Sequence, residues 1–357
     1  MKRSNPKILY LTRGYSSYQS ASYQTEIIRH LTAIPTLHIF EVPTYFTKKK
    51  NEKHESLKAS EEKLKKIYAN YDIIFFGHNW LGDSPSPGAI YPAGFEFIKD
   101  INIKKIAFIN KEYSRFKDKV NYFKYLNCDT LVSHHSNIDS FFESHNIRNE
   151  FKIIFIPFAV ESSIWFDQEH YLNKKIYDIF FSGTTLNPTW GPTIKENSDQ
   201  KIRVKVEKLM FKKIFGIRIK SKHENIYWNT FVGNRFIDWM NMYSKLNINE
   251  YIKKMSQSSV VFNTTSFGLI TPRTYESMAV GAVPLLAEDD KYSKIQGLNE
   301  LCIFFKSDLS NFHDQWEKAI SLGNNDTHKR NLSEEIRLNH CWSNRITSLM
   351  DQLLSFY

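Results

Sequence analysis

The sequence predicts an α/β chain made of two Rossmann-like domains in tandem, and three observations predict it. Short apolar runs recur along the chain, each stopping at small, polar or turn-forming residues, with amphipathic stretches of helical length between many of them. That alternation marks βαβ units on a parallel sheet. The chain has 357 residues, which suits two domains of about 150 to 180 residues rather than one. Finally, an irregular stretch at 160–175 gives way to a fresh strand that runs into a glycine, as a second such unit would begin.

The first half supplies six strands: 8–12 ahead of Gly14, 37–42 ahead of Pro43, 73–76 ahead of Gly77, 106–109 ahead of Asn110, 130–132 ahead of Ser133, and 153–156 ahead of Pro157. Residues 56–68 repeat with helical spacing, which sets Leu57, Leu64, Ile67 and Tyr68 on one side. The almost purely charged run 47–54 reads as a solvated loop. In the second half a strand at 178–181 leads into Gly183, Thr184 and Thr185. A basic helix at 201–215, a short strand at 217–219, a helix at 249–257, a strand at 260–263, a helix at 272–280 and a strand at 283–287 follow. Two helical stretches, 311–321 and 343–355, close the chain. The expected division is therefore 1–165, 166–340, and a C-terminal helix at 341–357 that crosses back to the first domain. Two doubly wound sheets bind ligands outside the carboxyl ends of their strands, so strand-terminal residues are the ones to read for chemistry.

Composition narrows the classes. The hydrophobic fraction of 41% suffices for two cores and argues against disorder. A net charge of +10 favours an anionic partner: nucleic acid, an anionic membrane surface or a phosphorylated substrate. The three cysteines, none in a CxxC pair, fit a reducing, cytoplasmic setting. The N-terminal apolar run is too short for a signal peptide and reads as the first strand. The sequence lacks the apolar run of about 18 residues that a membrane span needs.

The segment 259–288 carries the most information. It reads as a buried strand, a polar loop, a proline-initiated helix, a glycine stop and a second buried strand. Thr271 stands at the N-cap with Pro272 at the first helical position, and Gly281 closes the helix. The helix N-terminus offers unpaired N–H groups and a positive dipole end, a ready anion site. Arg273 in the first turn runs against the macrodipole, which makes sense if a phosphate binds beside it. Glu276 lies three residues on, on roughly the same face, placed to accept hydrogen bonds from ribose hydroxyls.

Read together, Arg273, Glu276, Ala279, Gly281 and Pro284 resemble the donor-binding motif of GT-B-fold glycosyltransferases, most of all the group-1-related, CgeB-like families. The lead-in 249–263 and the closing His340, Trp342 and Arg345 are similar to the same families. The resemblance implies two Rossmann-like domains facing across a cleft, with Glu276 on the donor ribose and Arg273 on the diphosphate. Retaining members carry two glutamates separated by seven residues, and here the position matching the first is Gly268. The carboxylate associated there with the sugar ring is missing, although the backbone at Gly268 is still expected near the sugar.

Weaker signals complete the expected site. Gly14 and the Gly183-Thr184 pair stand at the first βα turn of each domain, where the chain turns tightly and approaches a ligand. No GxGxxG accompanies them, so dinucleotide binding is not indicated. Sugar transfer by inversion needs a general base, for which His78, Asp83 and Glu112 are the candidates. His134 and His135 lack further ligand spacing, so no metal site is expected. The stretch 201–222, which begins at Lys201 and ends at Lys222, holds nine basic residues and one acid. It reads either as a basic face on an anionic membrane or as a crossover helix with a solvated lysine side. It carries no nucleic-acid-binding signature.

The resulting expectation is glycosyl transfer from a nucleotide-sugar to a glycan or lipid-linked acceptor in surface polysaccharide synthesis. No cofactor or divalent metal is called for, since a side chain and a helix end supply the positive charge. The rival expectations are a non-catalytic GT-B-like binding or scaffold protein and a nucleotide-sugar epimerase of the same fold.

Overall fold

Strands β1 (Ile8–Arg13), β2 (Leu37–Val42), β3 (Ile73–Phe76), β4 (Lys104–Ile109), β5 (Thr130–Ser133) and β6 (Lys152–Phe155) form where β-branched and aromatic residues run together. Every residue of β1, β3 and β5 is buried, as expected of strands covered on both faces of a parallel sheet. The computed structural model describes residues 6–13, 23–43, 50–81, 92–112, 115–184, 198–214, 217–220, 225–231, 246–264, 269–288 and 297–355. The chain divides into two compact units. One is Met1–Pro157 with Trp342–Tyr357, and the other is Phe158–Cys341.

The first unit holds a six-stranded, wholly parallel sheet in the order β2-β1-β3-β4-β5-β6. Leu57 and Leu64 from the helix Lys50–Ile67 join Phe116, Val120 and Phe123 from the helix Phe116–Tyr125 in one core with Leu9, Leu11, Ile74 and Phe76. The expected loop at 47–54 is thus corrected in part, because the helix already begins at Lys50. Its charged residues favour helix as well as solvent, and charge alone does not separate the two. The last helix, Trp342–Leu354, packs on the helix Tyr23–Thr32 of this unit and buries Trp342, Ile346, Leu349, Met350 and Leu353.

The second unit holds a five-stranded parallel sheet in the order β10-β7-β11-β12-β13: Ile226–Phe231, Tyr177–Thr184, Ser258–Asn263, Val283–Ala287 and Ile303–Phe305. Gly183 and Thr184 are the last residues of β7 rather than a turn after it. The basic helix ends at Met210, not at 215, and an antiparallel hairpin of β8 (Phe211–Ile214) and β9 (Ile217–Lys220) follows. Strands β10 and β13 and the helix Asp326–Asn339 were not expected from the sequence.

Helix ends in both units follow one rule. After Pro272–Ala279, Gly281 takes a φ of 68°, its N–H reaching Met278 O and that of Ala282 reaching Ser277 O, both at 2.9 Å. Asn127 (φ 59°) and Asn146 (φ 52°) end two helices of the first unit with the same paired bonds. A left-handed residue closes the helix and pairs its last carbonyls. Among the described residues no helix is long and apolar enough to cross a membrane.

Candidate functional site

In the second unit the chain first adds β10 on one side of β7, then β11 on the other. The point between β7 and β11 is where the strand order reverses, and in open α/β sheets ligands bind outside the carboxyl ends of strands at such a point. Ser182 and Gly183 lie at the carboxyl end of β7 and Asn263 at that of β11. The helix Pro272–Ala279 begins beside them. Pro272 suits its first position because it has no N–H to leave unpaired. Thr271 has the extended backbone of an N-cap, but its hydroxyl makes no capping bond to the helix. Asn263 Nδ2 donates to that hydroxyl at 2.7 Å and to Thr274 Oγ1 at 3.1 Å. The side-chain cap expected of Thr271 is thereby corrected: the hydroxyl ties the helix start to β11 instead.

Arg273 reaches back across the strand ends. Its guanidinium carbon lies 5.2 Å from the centroid of the Phe181 ring, a cation–π contact. Nη2 donates to Ser182 O, Nη1 to Asn263 Oδ1 at 3.5 Å, and Nε to the Tyr251 hydroxyl at 3.3 Å. Gly183 makes room for this. A Cβ there would sit 3.0 Å from Arg273 Nη2 and 3.3 Å from Phe181 Cζ. Tyr251 in turn donates to Glu276 Oε2 at 2.9 Å. The arginine and the carboxylate are thus joined through a phenol, and no direct ion pair links them among the described residues.

This network leaves groups to spare. An arginine has five N–H donors, and the described protein partners of Arg273 engage three of its nitrogens once each. Glu276 accepts on Oε2, and no described residue donates to Oε1. Burial pushes the Glu276 carboxyl above the usual carboxylate range, against the Tyr251 hydrogen bond and the Arg273 charge. Burial, and then the neighbouring carboxylate, raise the Tyr251 phenol, so its proton stays on as a donor. Among the described residues, the outcome is a cation with unused donors and a carboxylate with an unused acceptor, three positions apart in one helix.

The first unit has its own reversal point, between β1 and β3. There His78 is 1% exposed, with Nδ1 2.9 Å from the Tyr10 hydroxyl. Thr12 Oγ1 donates to Asn79 Oδ1 at 2.6 Å, and Asn79 Nδ2 to Arg13 O at 2.7 Å. Burial, then the His134 charge, lower the His78 pKa to about 3, so the ring is neutral. Burial keeps the Tyr10 phenol protonated. With Tyr10 donating, the ring proton sits on Nε2, and the Nδ1 lone pair is engaged. That makes His78, as held here, a weak base. Glu112, at the end of β4, is also buried and accepts from Ser133 Oγ. Burial raises its carboxyl, opposed by Ser133 and Lys119. The flanking Lys111 has a φ of 50°, and Lys119 Nζ donates to the carbonyls of Asn110 and Lys111 at 2.6 and 3.3 Å. His134 Nδ1 donates to Ile156 O at 2.7 Å. Among the described residues no group of His, Cys, Asp or Glu gathers as metal ligands.

Gly14, Asp83 and Gly268 lie outside the described residues, as does the side chain of Thr184. The structure brings Arg273, Glu276, Thr271 and Gly183 together in the second unit, and holds His78 and Glu112 in the first. In the basic stretch, Ile202, Val206 and Met210 are buried while Lys201, Lys205 and Lys208 face solvent. Buried Arg203 donates from Nε to Thr264 Oγ1 at 2.7 Å, just past β11. Sequence reasoning missed Tyr251, Asn263 and Phe181. The one available signal was Asn263, a polar residue closing an apolar strand.

No protein-family model matches the chain. No curated protein is similar enough in sequence to serve as a relative. Solved structures are similar over nearly the whole length. The N-terminal domain of Candida albicans trehalose-6-phosphate phosphatase matches with a TM-score of 0.62 at 10% identity, over 98% of this chain and 97% of its own. Sucrose-phosphate synthase from Thermosynechococcus elongatus matches with 0.62 at 10%, over 98% and 100%. An alpha-glucosyltransferase solved with UDP and a 13-mer DNA matches with 0.56 at 12%, over 99% and 100%. The likeness is one of fold: two Rossmann-like units of the GT-B type.

Proposed function

We propose that the chain is a glycosyltransferase that takes a sugar from a nucleotide-activated donor. The observation that carries this reading is the placement of Arg273 and Glu276, each with hydrogen-bonding capacity that no described residue takes up, beside a helix N-terminus at the strand-order reversal of the second unit. In this reading Arg273 and the first N–H groups of Pro272–Ala279 bind the donor diphosphate, and Glu276 accepts from the ribose hydroxyls. The same positive groups stabilise the charge that builds on the departing diphosphate, the larger part of catalysis in such sites. They take the place a divalent cation would fill, so activity is expected to survive chelation. The alpha-glucosyltransferase of the same fold, solved with UDP, supports a nucleoside diphosphate as ligand.

The finer parts of the reading rest on the motif from Arg273 to Pro284: kinship with the CgeB-like group, and a glycan or lipid-linked acceptor in surface polysaccharide synthesis. Of the base candidates, raised basicity favours Glu112 over His78, with Asp83 retained. The solvent-facing Lys201, Lys205 and Lys208 fit an anionic membrane surface. Gly268 favours the rival, a non-catalytic GT-B-like binding protein, because it removes the carboxylate that retaining members place at the sugar. Release of sugar from a nucleotide-sugar decides between the two, and product analysis separates transfer from epimerisation.

The test is a thermal-shift panel of nucleoside diphosphates and nucleotide-sugars at millimolar concentration. Ligand that binds only the folded chain raises its midpoint by mass action. At least one nucleoside diphosphate is expected to stabilise the wild type, and R273A and E276A to lose most of that shift. If none stabilises the wild type, the assignment fails.

A further inference from the structure

We propose that Tyr251 is a positioning residue that sets Arg273 and Glu276 for the nucleotide, so that preference for a ribose over a deoxyribose depends on its hydroxyl. The inference deepens the donor-site reading and rests on it.

The Tyr251 ring is fixed from several directions. Its helix, Ile248–Ser256, starts with a reciprocal cap in which Glu250 N donates to Asn247 Oδ1 at 2.9 Å and Asn247 N to Glu250 Oε2 at 3.4 Å. Trp165 and Phe180 meet the ring edge to face, with centroids at 6.2 and 5.7 Å. Packing alone would be met by phenylalanine. The hydroxyl is what a phenylalanine lacks, and both of its hydrogen-bond partners are the two residues assigned to the nucleotide. It accepts from Arg273 Nε at 3.3 Å and donates to Glu276 Oε2 at 2.9 Å.

One hydroxyl has one proton. Given to Glu276, it fixes the rotation of that carboxylate and holds Oε1 in place for a ligand hydroxyl. The lone pair offered to Nε fixes the guanidinium plane, which Phe181 and Ser182 O also hold. A site built to accept a substrate hydroxyl rejects an analogue lacking it, because the acceptor is then left unpaired. That discrimination is sharp only where the acceptor is held still. Without the Tyr251 hydroxyl the carboxylate is free to turn, and the missing ligand hydroxyl matters less.

The experiment uses the full chain and isothermal titration. The wild type is first titrated with uridine, adenosine, guanosine and cytidine diphosphates, and the tightest is then compared with its 2′-deoxy form. Wild type is expected to favour the ribose form about tenfold or more. Y251F should bind the ribose form about tenfold more weakly and the deoxy form nearly as before, so that the ratio collapses, with the ligand-free melting midpoint little changed. E276Q should already have lost the preference, and adding Y251F to it should change the ratio no further. The proposal is overturned if Y251F keeps the wild-type ratio, if it weakens both forms equally, or if wild type shows no ribose preference. A wild type that binds none of the four diphosphates overturns the donor-site reading itself. A wild type that binds while Y251F keeps its ratio overturns this inference alone.

Discussion

Adding one methyl group at Gly183 is the smallest change that reaches Arg273. The new Cβ would press on Nη2 and on the Phe181 ring at 3.0 and 3.3 Å, both movable side-chain atoms. G183A is therefore expected to leave the melting midpoint nearly unchanged while weakening nucleoside diphosphate binding several-fold. Unaltered affinity would show that the Arg273 pose is not the binding pose. The buried histidines give a prediction of the opposite kind. Burial lowers His78 to about 3 and His134 to about 4, whereas an unfolded histidine titrates near 6.5. Between those values the unfolded chain binds protons that the folded chain refuses. Stability is therefore lost as pH falls from about 6.5 towards 4, by up to about 1.4 kcal/mol per pH unit for each ring. The raised carboxyls of Glu112 and Glu276 act in the other direction, so the informative quantity is a difference. His134→Asn should fall less steeply than wild type in melting midpoint between pH 6.5 and 4.5, and parallel curves would refute it. At this scale Arg273 and Glu276 were legible because they share one helix turn, and an arginine in a first turn is anomalous without an anion. Tyr251 and Ser182 were not, since their bonds to Arg273 cross 22 and 91 residues of sequence and nothing local marks them.

The helices of the second unit are held to its sheet by close backbone contacts. Gly323 ends the helix Phe312–Gly323 against β11, and a Cβ there would lie 2.2 Å from Ser259 O. Backbone cannot swing aside as a side chain can, so G323A should cost about 1–3 kcal/mol and lower the melting midpoint measurably. Lys175 ties two helices at once. Its Nζ donates to Ser256 O at 2.9 Å and Gly281 O at 3.3 Å, the carboxyl ends of the helices carrying Tyr251 and Arg273. Burial, then the Lys329 charge, lower it to about 7. Across pH 7 to about 10.5 the unfolded lysine holds a proton that the folded one gives up, so this residue adds stability as pH rises through that window. Relative to K175M, wild type should gain in midpoint between pH 7.5 and 9.5, and a constant difference would contradict the buried amine. Elements such as β3, β12 and Pro272–Ala279 were legible because apolar runs and a Pro-to-Gly frame bound them. Strand β8 was misread as helix because a basic run suits both a helix face and alternating strands, whereas β9, beyond Gly216, was expected as a strand at 217–219. Strand β13, three residues long, and the edge strand β10 offer too short or too mixed a pattern to stand out.

The chain as a whole leaves its first unit at Pro157 and returns to it at Trp342. The final helix is therefore part of the first unit's core rather than a tail. Its five buried apolar side chains, at about 1.5–3 kcal/mol each, carry as much as a typical domain's whole stability. Deleting residues 342–357 should leave the first unit unfolded, seen as loss of one thermal transition and proteolysis within 1–157. Retention of both transitions would refute that role. Both sheets share one strand order, with the second strand on one side of the first and the third on the other, and it is this repeated reversal that concentrates polar side chains at two places.

The second of these places is the proposed nucleotide site, and the decisive measurement is a crystal structure of the chain with its best-bound nucleoside diphosphate. Phosphate oxygens are expected within hydrogen-bonding distance of Arg273 Nη1 or Nη2, with a ribose hydroxyl on Glu276 Oε1. A nucleotide seated elsewhere, with Arg273 and Glu276 bonded only to Ser182, Asn263 and Tyr251 as now, would contradict it.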